Sequence, residues 1–291
     1  MKQTKKFVKK YRKSILVSLF VIVFAVGVVV GSFFLPQRSL RSATKRTPIY
    51  PSIYITGSDG KTSTMDPMVS AMVADKETHA KRGLVIVVNT DNDKLTVTGK
   101  ISENNHYPTI EVGMVKGTNN SLKYERALKD VMSYLGSHYN VSYANVLGFS
   151  AGGAGTYRYL LQYGYDRSLP PVKKFLSLDG QYNASTAQPT QTLDNVLQNG
   201  PVNQTKYYQY WTANYEKLDP SIQVVLLAGD FNQEKETDGV VPWADAFSIY
   251  PLLRKNGNPV EYYVFKGNNT YHADVPKNAE AINYVKVFFY E

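Results

Sequence analysis

Cysteine is absent from all 291 residues. Disulfides, thiolate nucleophiles, cysteine-held zinc and a lipid-modified N-terminal cysteine are excluded with it. Histidine is nearly as scarce, limited to His79, His106, His138 and His272. These lie far apart, with no H-x-x-x-H spacing and no cluster of acidic ligands, so neither a metal site nor a cofactor is expected. A phosphate-cradling loop of the G-x-x-x-x-G-K type is also missing, which leaves nucleotide chemistry without support. Finally, no acid occurs in residues 1–46. That stretch holds eleven lysines and arginines, which account for the formal net charge of +9; the remaining 22 basic residues face 24 Asp and Glu. The basicity belongs to the N-terminus and not to a face of the folded domain, so nucleic acid is not an expected partner.

Charge is missing again between Lys13 and Arg38, where the apolar run Ser14–Leu35 (SILVSLFVIVFAVGVVVGSFFL) lies. A helix of that length rises about 33 Å, enough for the hydrocarbon core of a bilayer. Seven basic residues precede it and four follow, which places the N-terminus on the cytoplasmic side. The expectation is a basic cytoplasmic tail over 1–13, a transmembrane anchor over 14–35, a linker over 36–50 and an extracytoplasmic domain over 51–291. A cleaved signal peptide is the alternative. Its apolar core would run to about 7–15 residues with small residues before the cut, whereas Arg41-Ser42-Ala43 puts Arg at such a position.

Beyond the linker, β-rich runs alternate with helical patterns. Strands are predicted at 52–56, 83–88, 145–148, 174–178, 222–228 and 261–265, with helices at 66–75, 121–139, 152–162, 244–255 and 277–290. Residues 94–101 and 109–115 alternate apolar with polar side chains, which predicts half-exposed strands forming a hairpin at a sheet edge. Strands separated by helices of this length imply a mostly parallel sheet with helices on both faces. Residues 180–219 break the rhythm. They hold no convincing strand and read as a cap-like insertion, with a helix over 204–218 dense in aromatics (Tyr207, Tyr208, Tyr210, Trp211, Tyr215). Those rings could shape an acyl or sugar pocket, or pack onto the sheet domain.

Gly148-Phe149-Ser150-Ala151-Gly152 fits G-x-S-x-G and falls between a predicted strand and a predicted helix, the context a nucleophile elbow requires. A serine hydroxyl needs a base beside it. Where such an elbow operates, the order along the chain is Ser, then Asp or Glu, then His, and His272 alone among the histidines follows Ser150. Asp238, in TDGVVP after the strong strand at 222–228, is the leading candidate for the acid. Asp230, in AGD, and Asp179, in SLDG, are alternatives. The oxyanion donors expected are the backbone N–H groups of Ala151 and Ser58, the latter in Thr56-Gly57-Ser58-Asp59-Gly60.

With these residues placed, the chain resembles a family of Gram-positive cell-surface α/β hydrolases, lipase-like in sequence and assigned no function. The resemblance spans nearly all of residues 50–291. It is carried by ITGSDGKTSTM, by ALKDVMSYLGSHYNVSYANVLGFSAGG, by TDGVVP and by the segment around the last histidine. It implies the α/β-hydrolase fold and Ser150, Asp238 and His272 as a triad. Two departures stand out. The family has His-Gly where this chain has Thr56-Gly57, and a G-H-S-M-G elbow where this chain has Phe149 and Ala151. The leading expectation is a carboxyl-ester hydrolase working through an acyl-enzyme on a small-molecule or lipid-like ester. A peptidase or thioesterase with the same triad, or a surface binding protein that keeps the fold without the activity, are the alternatives.

Overall fold

The structure is a computed structural model that describes residues 46–183, 191–231 and 236–291. The predicted tail and anchor, and the linker up to residue 45, lie outside the described residues. Among the described residues, no helix is long and apolar enough to cross a membrane. The end of the predicted linker belongs to the fold. Strand β1 (Pro48–Ile49) pairs in parallel with β6 (Asn140–Val141), and Ile49 is buried.

The central sheet has eight strands: β2 (Ser52–Ile55), β3 (Lys81–Asn89), β4 (Lys94–Gly99), β5 (Pro108–Met114), β7 (Ala144–Phe149), β8 (Val172–Leu178), β9 (Gln223–Gly229) and β10 (Val260–Phe265). Their spatial order is β10-β9-β8-β7-β2-β5-β3-β4. All neighbours are parallel except the β3–β4 hairpin, so β4 is the antiparallel edge.

This corrects the hairpin expected from 94–101 and 109–115. Residues 108–114 are an interior strand lying between β2 and β3, and every residue of it is buried. The alternation that suggested exposure comes from polar residues that are buried. Glu111 accepts from Arg82 Nη1 at 2.7 Å, and Thr109 is enclosed between the neighbouring strands.

Side chains alternate across the strands and divide the core in two. On one face Ile53, Ile55, Val146, Phe175, Val224 and Leu226 pack under helices α2 (Ser121–His138) and α3 (Ala151–Tyr163). On the other, Tyr54, Leu147, Leu176, Val225 and Leu227 meet α1 (Asp66–Ala74) and α8 (Ala279–Tyr290). Helix α2 follows from its sequence. Asn120 caps it by accepting Leu122 N–H at 3.0 Å, and Leu128, Val131, Met132 and Leu135 recur at helical spacing on the buried side. Each such side chain contributes about 1.5–3 kcal/mol on burial.

The aromatic segment forms α4 (Leu193–Asn199), α5 (Lys206–Asn214) and a 3-10 turn at Tyr215–Lys217. Its rings are spent on packing. Trp211 is fully buried against Tyr157 of α3 and donates Nε1–H to Tyr182 O at 2.5 Å, and Tyr208 OH donates to Ser248 O at 3.0 Å. The single helix expected over 244–255 is two short ones, α6 (Trp243–Ala246) and α7 (Tyr250–Asn256). Pro251 lacks a backbone donor and fits only the first turn of a helix, so a new helix begins there.

Candidate active site

Chain order reverses direction across the sheet at β2, which lies between β5 on one side and β7 on the other. In parallel sheets the crevice at the carboxyl ends of the strands beside such a reversal is where ligands bind. Five adjacent strands deliver their following residues there: Thr56–Gly60 after β2, Ser150 after β7, Asp179 after β8, Asp238 in the loop after β9 and His272 in the loop after β10.

Ser150 joins β7 directly to α3 with φ 53° and ψ −123°, a left-handed conformation for a side-chain-bearing residue. Such a backbone costs about 1–3 kcal/mol and persists only where the surroundings impose it. Here they do. Ser150 N–H donates to Leu178 O at 2.9 Å, and Ser150 O accepts from Gly153 N–H at 2.9 Å. The two glycines of the motif are required by space. A Cβ on Gly148 would lie 2.6 Å from Gly152 O, and one on Gly152 would lie 2.5 Å from Thr56 O.

The structure brings Ser150, His272 and Asp238 together. His272 Nε2 lies 3.0 Å from Ser150 Oγ. His272 Nδ1 is hydrogen-bonded to Asp238 Oδ2. An ionised carboxylate only accepts, so the imidazole proton belongs on Nδ1, and Nε2 is left to accept from the serine hydroxyl. Asp238 is fully buried, and its Oδ1 accepts from the N–H groups of Val240 (2.8 Å) and Val241 (2.6 Å). His272 N–H also donates to Asp238 O at 2.9 Å, so the two loops are tied through backbone as well as side chain.

Of the alternative acids, Asp230 makes no hydrogen bond to His272, and its backbone N–H is held by Phe265 O at 3.0 Å. Asp179 is in the cluster. One carboxylate oxygen of Asp179, one of Asp238 and a ring nitrogen of His272 lie within 4.8 Å of one another. These three are the one grouping of acids and histidine among the described residues close enough to share a cation, but the Asp238–His272 hydrogen bond already uses facing atoms of two of them.

A cavity of about 190 Å³ opens beside the serine, lined by Gly57, Ser58, Asp59, Thr64, Phe149, Ser150, His272 and Ala273. Ser58 is an exposed lining residue, and Ala151 begins α3 with its side chain buried. None of the aromatic residues of α5 lines this cavity.

Several residues that shape the site were not foreseen. Asp59 braces the loop after β2: its Oδ1 accepts from Thr56 Oγ1 (3.0 Å) and Lys61 N–H (3.1 Å), and its Oδ2 accepts from Thr64 Oγ1 (2.6 Å). Tyr124 OH, reaching from α2, donates to Gly57 O at 2.6 Å. Burial pushes the Tyr124 phenol well above its ordinary value, so it remains a donor. Asp59 lies in a turn-rich string that hinted at a brace. Tyr124 is 67 residues from Gly57, and no local pattern links them. The two family departures gain a physical meaning. Thr56 supplies a bond inside the loop, and Phe149 packs its ring 4.9 Å from the His272 imidazole as an apolar wall of the cavity.

Comparison with known proteins agrees with this architecture. Residues 39–291 match the family described as alpha/beta hydrolase of unknown function (DUF915). No curated protein matches the chain. Among solved structures, a gene product of Listeria innocua superposes with a TM-score of 0.76 at 22% identity, over 82% of this chain and 93% of its own. A protein described as a candidate cell surface hydrolase of Lactobacillus plantarum gives 0.66 at 20% identity, over 82% and 91%. With the match covering most of its length, and the fold alike in those structures, the chain belongs to this family of α/β hydrolases of unknown function.

Proposed function

We propose that this chain is a membrane-anchored, extracytoplasmic serine hydrolase that cleaves carboxylic esters of short acyl groups. The observation that carries the reading is the 3.0 Å approach of His272 Nε2 to Ser150 Oγ, with Asp238 holding the far side of the ring. In this reading Ser150 Oγ attacks the ester carbonyl carbon as its proton passes to Nε2. Asp238 stabilises the imidazolium that forms. The carbonyl oxygen, now an anion, takes hydrogen bonds from the backbone N–H groups of Ala151 and Ser58, at the positive end of the 13-residue helix α3. The intermediate collapses, His272 returns the proton to the departing alcohol, and an acyl-Ser150 ester remains. Water then repeats the sequence and releases the acid.

Acyl size follows from the cavity. At about 190 Å³ it is smaller than the roughly 300–1,000 Å³ typical of sites for drug-sized ligands. Phe149 makes one wall apolar. Anchoring and outward orientation rest on the apolar run at 14–35 and its basic flank. The test is hydrolysis of nitrophenyl esters by the full chain. Acetate and butyrate are expected to be cleaved well above background, octanoate poorly, and none by Ser150→Ala or His272→Ala. Equal rates for the parent and Ser150→Ala would end the proposal; a preference for octanoate would overturn the acyl-size part alone.

A further inference from the structure

Asp179 stands beside these three residues with no part in the reaction just described, and its surroundings are unusual for an acid. It closes β8 at φ 47° and is fully buried. Two bonds to β9 fix it: its N–H donates to Leu227 O at 2.8 Å, and its Oδ1 accepts from Gly229 N–H at 2.9 Å. Its Oδ2 is buried and receives no N–H or O–H from the described residues. What faces it is the Asp238 carboxylate from the loop after β9, with His272 beyond. Other ionisable groups nearby are engaged elsewhere. Tyr182 OH donates to Ser177 Oγ at 2.7 Å, and Asp245 accepts from Tyr182 and Asn183 N–H at 2.6 Å each. No lysine or arginine among the described residues forms an ion pair with Asp179, Asp238 or His272.

Two adjacent buried carboxyl groups without a cation cannot both ionise. Asp238 has three donors: Val240 N–H, Val241 N–H and His272 Nδ1–H. Asp179 has one, Gly229 N–H. The anion therefore settles on Asp238 and the proton on Asp179. We propose that Asp179 is a positioning residue that stays un-ionised at neutral pH and donates its carboxyl proton in a hydrogen bond to the Asp238 carboxylate. The inference rests on Ser150, His272 and Asp238 acting as a triad. Burial first, and the Asp238 charge second, hold the Asp179 carboxyl well above the usual carboxylate range. The pair then carries one negative charge where two would be intolerable. The shared proton also spreads the charge of Asp238, so that Asp238 orients His272 without binding the imidazolium too tightly.

The test uses the full chain and two readouts. The infrared spectrum at pH 7 should contain the carbonyl stretch of an un-ionised carboxyl group, and Asp179→Asn should remove it. In the pH profile of kcat/KM, Asp179→Asn keeps a neutral donor, so activity falls a few-fold while the acid limb stays in place. Asp179→Leu has no donor, so Asp238 holds its full charge and the acid limb moves to higher pH by about half a unit or more. A purely structural role predicts the same limb for both variants. If Asp179 is instead a second anion, Asp179→Asn lowers the limb by about one unit or more and no carboxyl band is lost. Either result overturns the inference. Should the parent hydrolyse nothing, the infrared band still decides the protonation of Asp179, so failure of the hydrolase reading and failure of this inference remain distinct.

Discussion

Two buried acid clusters on the same sheet are treated in opposite ways. Glu111 of β5 is enclosed and meets Arg82 of β3 at 2.7 Å, and Arg82 also binds Asp66 and Ser70 of α1, each at 2.7 Å. Burial raises the Glu111 carboxyl and the guanidinium opposes that rise. This cluster joins two strands and a helix, and one guanidinium serves both of its carboxylates. At the carboxyl ends of β8 and β9, Asp179 and Asp238 are more deeply buried, and among the described residues neither forms an ion pair with a lysine or arginine. Burying two carboxyl groups side by side costs stability, because their few hydrogen bonds recover only part of the desolvation. Compensation marks the cluster that holds the sheet to α1. The other is the cluster on which the proposed reaction draws, and in that proposal a positive charge arises there when His272 takes the serine proton.

The largest effect expected from breaking this contrast comes at its catalytic end. Asp238→Asn removes the anion that orients His272, and ester hydrolysis should fall by about 10³–10⁴-fold in kcat, read by steady-state kinetics, with the fold retained. Next is the pH dependence of stability. The unfolded Asp179 ionises above about pH 4, whereas the folded one keeps its proton. Folding thus takes up a proton, and stability falls as pH rises from about 4 toward the raised folded value, by at most about 1.4 kcal/mol per unit. Asparagine titrates in neither state. The melting temperature of Asp179→Asn should therefore gain on that of the parent between pH 4 and 7, and a constant gap would contradict the assignment.

Arg82→Met sharpens the contrast from the other side. It strands Glu111 without its partner and should cost about 1–2 kcal/mol in denaturant unfolding, since Arg82 is half exposed. Ester hydrolysis by the folded variant should not change. The smallest effect is that of Tyr124→Phe, which frees Gly57 O and loosens the loop that presents Ser58. A loss of about 1 kcal/mol, or up to tenfold in kcat with KM little altered, is expected from kinetics on acetate esters.

Much of the framework was readable because it depends on local signals. The strand–Ser150–helix junction is set by glycines that short-range sterics demand, and His272 is singled out by scarcity and order. What escaped depends on distant pairing. Residues 108–114 gave an exposed pattern because Glu111 and Thr109 look like solvent-facing residues until β3 and α1 enclose them. Tyr124 reads as one more apolar position of α2, and only the folded chain points its hydroxyl at Gly57. The aromatic helix misled in the other direction: a tyrosine-rich face suits a pocket or a core equally, and Trp211 and Tyr208 went to the core. Asp179 was legible as an acid at a strand end, but its relation to Asp238 requires the β8–β9 neighbourhood, which sequence spacing does not reveal.

The central claim is that His272 and Asp238 make Ser150 a nucleophile. The most direct measurement is reaction of the full chain with a fluorophosphonate, followed by mass mapping of the modified peptide. The account predicts a single adduct on Ser150, lost in Ser150→Ala and reduced at least a thousandfold in rate in His272→Ala. A well-folded parent that stays unmodified, or an adduct on another residue, would contradict it.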